Sequence, residues 1–189
     1  MTGRRDDVEA IGAMLAAEPS RDRALDLLLT HARRLTRAEA GTVYVRDRRH
    51  LWFAVTQNEV LARRLGAEAA QRALTEEPLL LQERSIASYV ALTRATVNVP
   101  DAYQIPLDRP YAFDRRVDDR LGYRTRSMLA MPLRDAHGRA WGVIQLINAT
   151  NEAGDDAPFD TRSETLVASL VACVSHVAPD RREEPEDEP

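Results

Sequence analysis

The run AWGVIQLIN at residues 140–148 constrains the fold more than any other stretch, because it reads as a strand that is apolar on both faces. A strand of that kind lies inside a sheet whose two faces are both covered. The rest of the chain supplies the cover. Val8, Ile11 and Leu15, with Met14 beside them, fall on one face of a short amphipathic helix that ends before Pro19. Ser20 is placed to cap a second helix, in which Leu25, Leu28, Leu29, Ala32 and Leu35 recur at helical spacing, and Gly41 is expected to end it. In the last helix, residues 160–177, Leu166, Val167, Leu170, Val171, Val174 and Val177 form a stripe wider than one sheet face needs, so its surplus is assigned to contact with a second copy.

The strands come in two groups. Residues 42–46 and 51–56 read as a hairpin around the polar stretch Asp47-Arg48-Arg49-His50, while residues 97–99 and 127–133 accompany the apolar strand. Between the groups, residues 58–74 are helical in spacing, with Gly66 an interruption. Helices, two strands, helices, strand, long loop, two strands and a helix make an α+β sandwich with a central antiparallel sheet. The division expected is an N-terminal helix at residues 1–19, one domain at 20–178, and a disordered acidic tail at 179–189, whose final DRREEPEDEP carries no apolar residue beyond proline.

Residues 85–101, SIASYVALTRATVNVPD, hold the candidate site. Ser85 caps a helix over 86–93, and the free N–H groups at such a start attract anions when they open into a cavity; a plain capped helix is the alternative. Residues 101–122 follow as a Pro-broken lid. Its Tyr103, Tyr111 and Phe113 either stack on a flat ligand ring or anchor the lid. Asp118 and Asp119 read as solvated charge, since neighbours point apart on a helix. Gln145 falls amid apolar residues, and its amide needs a partner, ligand or backbone.

Composition removes several function classes. With 26 basic against 30 acidic residues and a net charge of -4, the chain lacks the positive excess that holds a nucleic-acid backbone. Every basic residue is Arg, so lysine-based covalent chemistry is excluded. Cys173, the single cysteine, reads as a small core residue. Neither an apolar run near the ~20 residues of a membrane span nor a signal peptide is found, so a protein of the cytoplasm is expected. His31, His50, His137 and His176 are scattered, Trp52 and Trp141 read as core, and no acid, base or nucleophile constellation stands out. No metal and no cofactor are expected.

The segments IASYVA, NVPDAY, GYRTRSML and GVIQLIN, in that order and spacing, resemble the GAF domain family over residues 21–177, most of all the GAF domains of cyclic-nucleotide phosphodiesterases and of bacterial HD-type phosphohydrolase signalling proteins. The resemblance implies a sandwich with the terminal helices on one face of the sheet and a ligand pocket under the lid on the other. It places a ligand phosphate at Ser85, Ile86 and Ala87, a hydroxyl at Thr125 and a polar reader at Gln145, where some cyclic-nucleotide binders have Glu. Two departures stand out. Leu121 occupies a position held by Thr in at least some nucleotide binders. Of the family's Asn–Lys, Phe, Asp–Glu signature, Asn148, Phe159 and Glu164 are present, but Ala149 and Ser163 replace the charge pair, so lid closure must rest on other contacts.

The function expected is a non-catalytic module that senses a small molecule, with a cyclic nucleotide as candidate, and signals through its terminal helices as a homodimer to an output enzyme in trans. A dimerisation module with a vestigial pocket is the alternative. Free methionine sulfoxide reductases share the GAF fold but need two cysteines, and covalent bilin attachment needs one in the lid; Cys173 provides neither.

Overall fold

The computed structural model describes residues 2–75 and 77–178. The expected acidic tail at 179–189 lies outside them. In chain order the elements are α1 (Thr2–Ala17), α2 (Arg21–Thr36), β1 (Ala38–Arg46), β2 (His50–Asn58), α3 (Glu59–Leu65), α4 (Ala67–Leu74), β3 (Leu79–Leu80), α5 (Ile86–Thr93), β4 (Val97–Val99), α6 (Arg116–Leu121), β5 (Met128–Arg134), β6 (Ala140–Thr150), β7 (Asp156–Ala157) and α7 (Thr161–Ala172). The strands pair antiparallel in the order β3-β2-β1-β6-β5-β4, with β7 added on β6.

The doubly apolar β6 lies between β1 and β5, and from Val143 to Ile147 successive residues alternate between two cores. Ile144 and Leu146 face α1, α2 and α7, whereas Val143 faces α5 and the lid. The expected α+β sandwich is therefore present, with the terminal helices and the lid on opposite faces.

Local chemistry explains the boundaries, and in places corrects the expected ones. Ser20 caps α2 by accepting from the Arg23 N–H. That helix ends at Arg37 in the left-handed region, φ 54°, and not at Gly41, which sits inside β1. A Cβ at Gly41 would meet Leu29 Cδ1 at 2.8 Å and the Gln145 carbonyl oxygen at 2.9 Å, so glycine is there to let α2 approach the sheet. Gly66, at φ 86°, does break the following helical stretch into α3 and α4.

Most of the apolar stripe of the last helix is consumed within the chain, Leu166 excepted. Val167, Leu170, Val171, Val174 and Val177 join Ile11, Leu15, Leu25 and Leu28 in one core, with the last two beyond the end of α7 at Ala172. Little of the expected surplus remains for a second copy. Trp52 is also not core. It is 49 % exposed, and its Nε1 donates to Asp47 Oδ2 at 2.7 Å. Trp141 is buried, as expected.

Candidate ligand site

The lid starts where the Asp101 carboxylate accepts the Tyr103 N–H at 2.9 Å and the Gln104 amide at 2.8 Å. The Tyr103 N–H is the largest of the causes that hold the Asp101 carboxyl below its ordinary range. The Tyr103 ring is covered by guanidinium groups, Arg124 at 3.5 Å and Arg115 at 4.2 Å from its centroid, and Phe113 lies 5.4 Å away. Tyr111 packs against Tyr89 of α5 at 5.1 Å. The lid aromatics are thus engaged with the chain's own groups, as anchors.

Beneath them, Asp118 departs from its reading as solvated charge. It is 4 % exposed and accepts from the Tyr103 hydroxyl at 3.0 Å, the Thr125 N–H at 2.7 Å and the Thr125 hydroxyl at 2.9 Å. Gly122, left-handed at φ 57°, ends α6 and turns the chain back so that Thr125 reaches Asp118; Asp119 stays exposed. Burial, then the Asp118 hydrogen bond and charge, push the Tyr103 hydroxyl above its ordinary pKa and keep it a donor. Leu121 is half-buried, and Arg64 of α3 donates to its carbonyl at 3.2 Å.

At the start of α5 the Ser85 hydroxyl accepts the Ser88 N–H at 3.0 Å. Ser85 also forms a parallel bridge with Ala112 of the lid, whose N–H donates to the Arg84 carbonyl at 2.6 Å. The lid therefore lies directly beside the helix start. Ile86 and Ala87 are buried and share the lid-side core with Tyr103, Tyr111 and Phe113.

Gln145 occupies the sheet floor on the same face as Val143, between Thr42 of β1 and Ala130 of β5. It is 8 % exposed, and its side chain has no hydrogen-bond partner among the described residues. A cavity of about 260 Å³ lies further along the sheet, between β2 and α3–α4, and none of the residues expected to bind ligand lines it.

Other contacts replace the missing charge pair of the signature. Asn98 of β4 donates to Glu164 at 2.7 Å and to the Phe159 carbonyl at 2.9 Å, tying the sheet to α7. Asn148, left-handed at φ 57°, accepts the Arg126 N–H at 2.7 Å and donates to the Arg124 carbonyl at 2.9 Å and the Tyr123 hydroxyl at 3.1 Å. Tyr123 in turn donates to the Glu39 carboxylate. The roles of Asn98 and of the Arg pair on Tyr103 went unnoticed in the sequence and that of Asp118 was misread, since each acts through a partner brought close only by folding.

Cys173 is half-buried, and its Sγ donates to the Ser169 carbonyl at 3.3 Å. Among the described residues no three His, Cys, Asp or Glu side chains converge as metal ligands, and no helix is long and apolar enough to cross a membrane.

Residues 20–176 match the model of the GAF domain family. A cGMP-specific 3',5'-cyclic phosphodiesterase of Drosophila ananassae is 31% identical over 131 residues, which are 66% of this chain and 10% of that protein. The chain thus spans about a tenth of the length of this relative. Among solved structures, the GAF domain from Acinetobacter phosphoenolpyruvate-protein phosphotransferase superposes with a TM-score of 0.69 at 16% identity over 100% of both chains. The GAF domain/HD domain protein from Geobacter sulfurreducens gives 0.59 at 19% identity, over 82% of this chain and 92% of that one. At these identities the structural likenesses speak for the fold alone.

Proposed function

The chain belongs to the GAF domain family, and from that premise we propose that it is a non-catalytic regulatory module that binds a small ligand between the lid and the sheet. Gln145 carries this reading. Its amide bonds to no group of the protein, so a ligand that presents a donor or acceptor edge to the sheet floor can take it in place of water. A cyclic nucleotide is the first candidate, given the phosphodiesterase relative. Its phosphate would approach Ile86 and Ala87 at the start of α5, and its base edge Gln145.

Binding requires the lid to reorganise. Thr125 must release Asp118, and Ala112 must leave or share the edge at Ser85, so the ligand selects an opened arrangement of the lid. The proposed readout is a change at α1 and α7, in a homodimer or against an output enzyme. Calorimetric titration of the chain with cGMP and with cAMP is the test: saturable heat that disappears in Gln145→Leu supports the proposal, and no heat with either nucleotide retires the cyclic-nucleotide version.

A second reading, an interaction module with a vestigial pocket, is favoured by the same lock seen from the other side. Asp118, Thr125, Tyr103, Arg115 and Arg124 satisfy one another without a ligand. A dimer by sedimentation whose thermal stability no small molecule alters would support it.

A further inference from the structure

The C-terminal end of α5 gathers more positive charge than the helix can use. Arg46, from the end of β1, donates Nη1 to the Ala91 carbonyl at 2.9 Å, and Arg134, from the end of β5, donates Nη2 to the Arg94 carbonyl at 2.6 Å. Arg94 itself ends the helix, and its guanidinium makes no hydrogen bond or ion pair among the described residues. A helix C-terminus offers about half a unit of negative charge, against three guanidiniums here. Among the described residues no carboxylate pairs with any of the three. The neighbouring acids are engaged elsewhere: Asp47 accepts from Trp52 Nε1 and from the Arg49 and His50 N–H groups, and Asp135 holds Arg139 at 2.6 Å. Arg94 and Arg134 are exposed and Arg46 is half-buried, so the cluster is open to an anionic partner.

Chain path and charge identify that partner. α2 turns directly into β1 and packs along it, so α2 begins at the Arg46 end of the strand. His176 Nε2 lies 2.9 Å from the Glu18 carbonyl, just before α2, and the chain therefore leaves the helix face at the same end of the sheet. The sequence beyond the described residues is acidic. After Arg181 and Arg182, residues 183–188, EEPEDE, hold five carboxylates and no base. Their distance from Ala178 along an extended chain is roughly 17–34 Å, enough to round the end of a sandwich about 20 Å deep between its outer layers. We propose that the acidic stretch 183–188 of this chain clasps the arginine cluster at the end of α5, a salt-sensitive tie between the segment leaving the helix face and the helix that starts beside the lid. The clasp does not depend on a ligand beneath the lid.

The whole chain, carrying a nitroxide at Pro189→Cys in a Cys173→Ser background, is followed by backbone amide NMR. At low salt the amides of residues 91–95 should broaden, while those of residues 149–151, at the opposite end of the sheet, keep their width. At about 1 M salt, where the Debye length is about 3 Å, the broadening should disappear. Arg94→Gln, which breaks no bond among the described residues, should weaken it by about twofold to fivefold, the worth of one exposed ion pair. Glu186→Gln, Asp187→Asn and Glu188→Gln together should abolish it. Amides 91–95 of unchanged width, or broadening indifferent to salt or to Arg94→Gln, overturns the proposal. So does broadening of a nitrogen-15 chain without a label by a labelled chain mixed with it, which would assign the contact to a second copy.

Discussion

The two faces of the sheet are built on different principles. The helix face is covered by α1, α2 and α7, whose leucines and valines meet Ile144 and Leu146 in one continuous apolar core. The lid face is covered mostly by short elements and loop. Its apolar cluster is smaller, and much of its closure is polar: the Asp118 carboxylate, the guanidinium cover of Tyr103 and the bridge between Ser85 and Ala112. Apolar packing is non-directional and adds up over area, so the helix face resists local change. A closure made of few directional contacts opens when one or two of them are exchanged for a ligand's. The division gives the molecule a rigid side and a responsive side.

The largest expected effect breaks the rigid side. Leu146 is fully buried on the helix face, and Leu146→Ala should cost about 2–5 kcal/mol in denaturant unfolding, lowering the protection of amides on both faces together. Asp118→Ala comes next. It strips the Thr125 N–H and two hydroxyls of their acceptor at an expected cost of about 2–3 kcal/mol, with Asp118→Asn recovering part of it. Hydrogen exchange sharpens the contrast: for Asp118→Ala the loss should concentrate in the lid, and an equal loss in α2 and α7 would erase the distinction between the faces.

Gln145→Leu should act in the opposite direction. The Gln145 amide bonds to no group of the protein, so replacing it by a hydrocarbon of similar size on a mostly buried face is expected to raise stability by up to about 1 kcal/mol in the absence of ligand, read from the denaturation midpoint. A loss of stability would show that the amide is satisfied by a group of the protein or by water.

The smallest effect is on pH dependence. The Asp101 carboxyl is held below its ordinary value, first by the Tyr103 N–H and also by Gln104, Arg124 and Arg115, with burial opposing. A lowered folded pKa means that its contribution is complete above the unfolded value, about 3.9, and is lost as pH falls through the lower folded one. The Tyr103 amide should therefore lose protection in acid below that value, before the amides of α2 do. If α2 opens at the same pH, the lid is not an independent unit.

Much of the fold was legible because its causes are local. Ser20 and Ser85 announce helix starts, since a cap acts on an N–H three residues away. Gly66 announces a break, and 140–148 announces a strand with two covered faces. The misreadings share one cause, which is surroundings that only folding supplies. Gly41 looks like a helix terminator but answers to Leu29 and the Gln145 carbonyl. Asp118 looks like surface charge until α6 turns it toward Tyr103 and Thr125. Trp52 looks like core, yet it is half exposed, and its indole bonds to Asp47 in the neighbouring turn.

Sequence alone determined the kind of layers, because hydrophobic period and capping are properties of neighbouring residues, and the segments IASYVA, NVPDAY, GYRTRSML and GVIQLIN identified the family. Only the tertiary structure decided which polar groups are left without a partner. Arg33 Nε and the Thr56 hydroxyl are ordinary in the sequence, and they become unusual when folding removes water from around them and supplies nothing in its place.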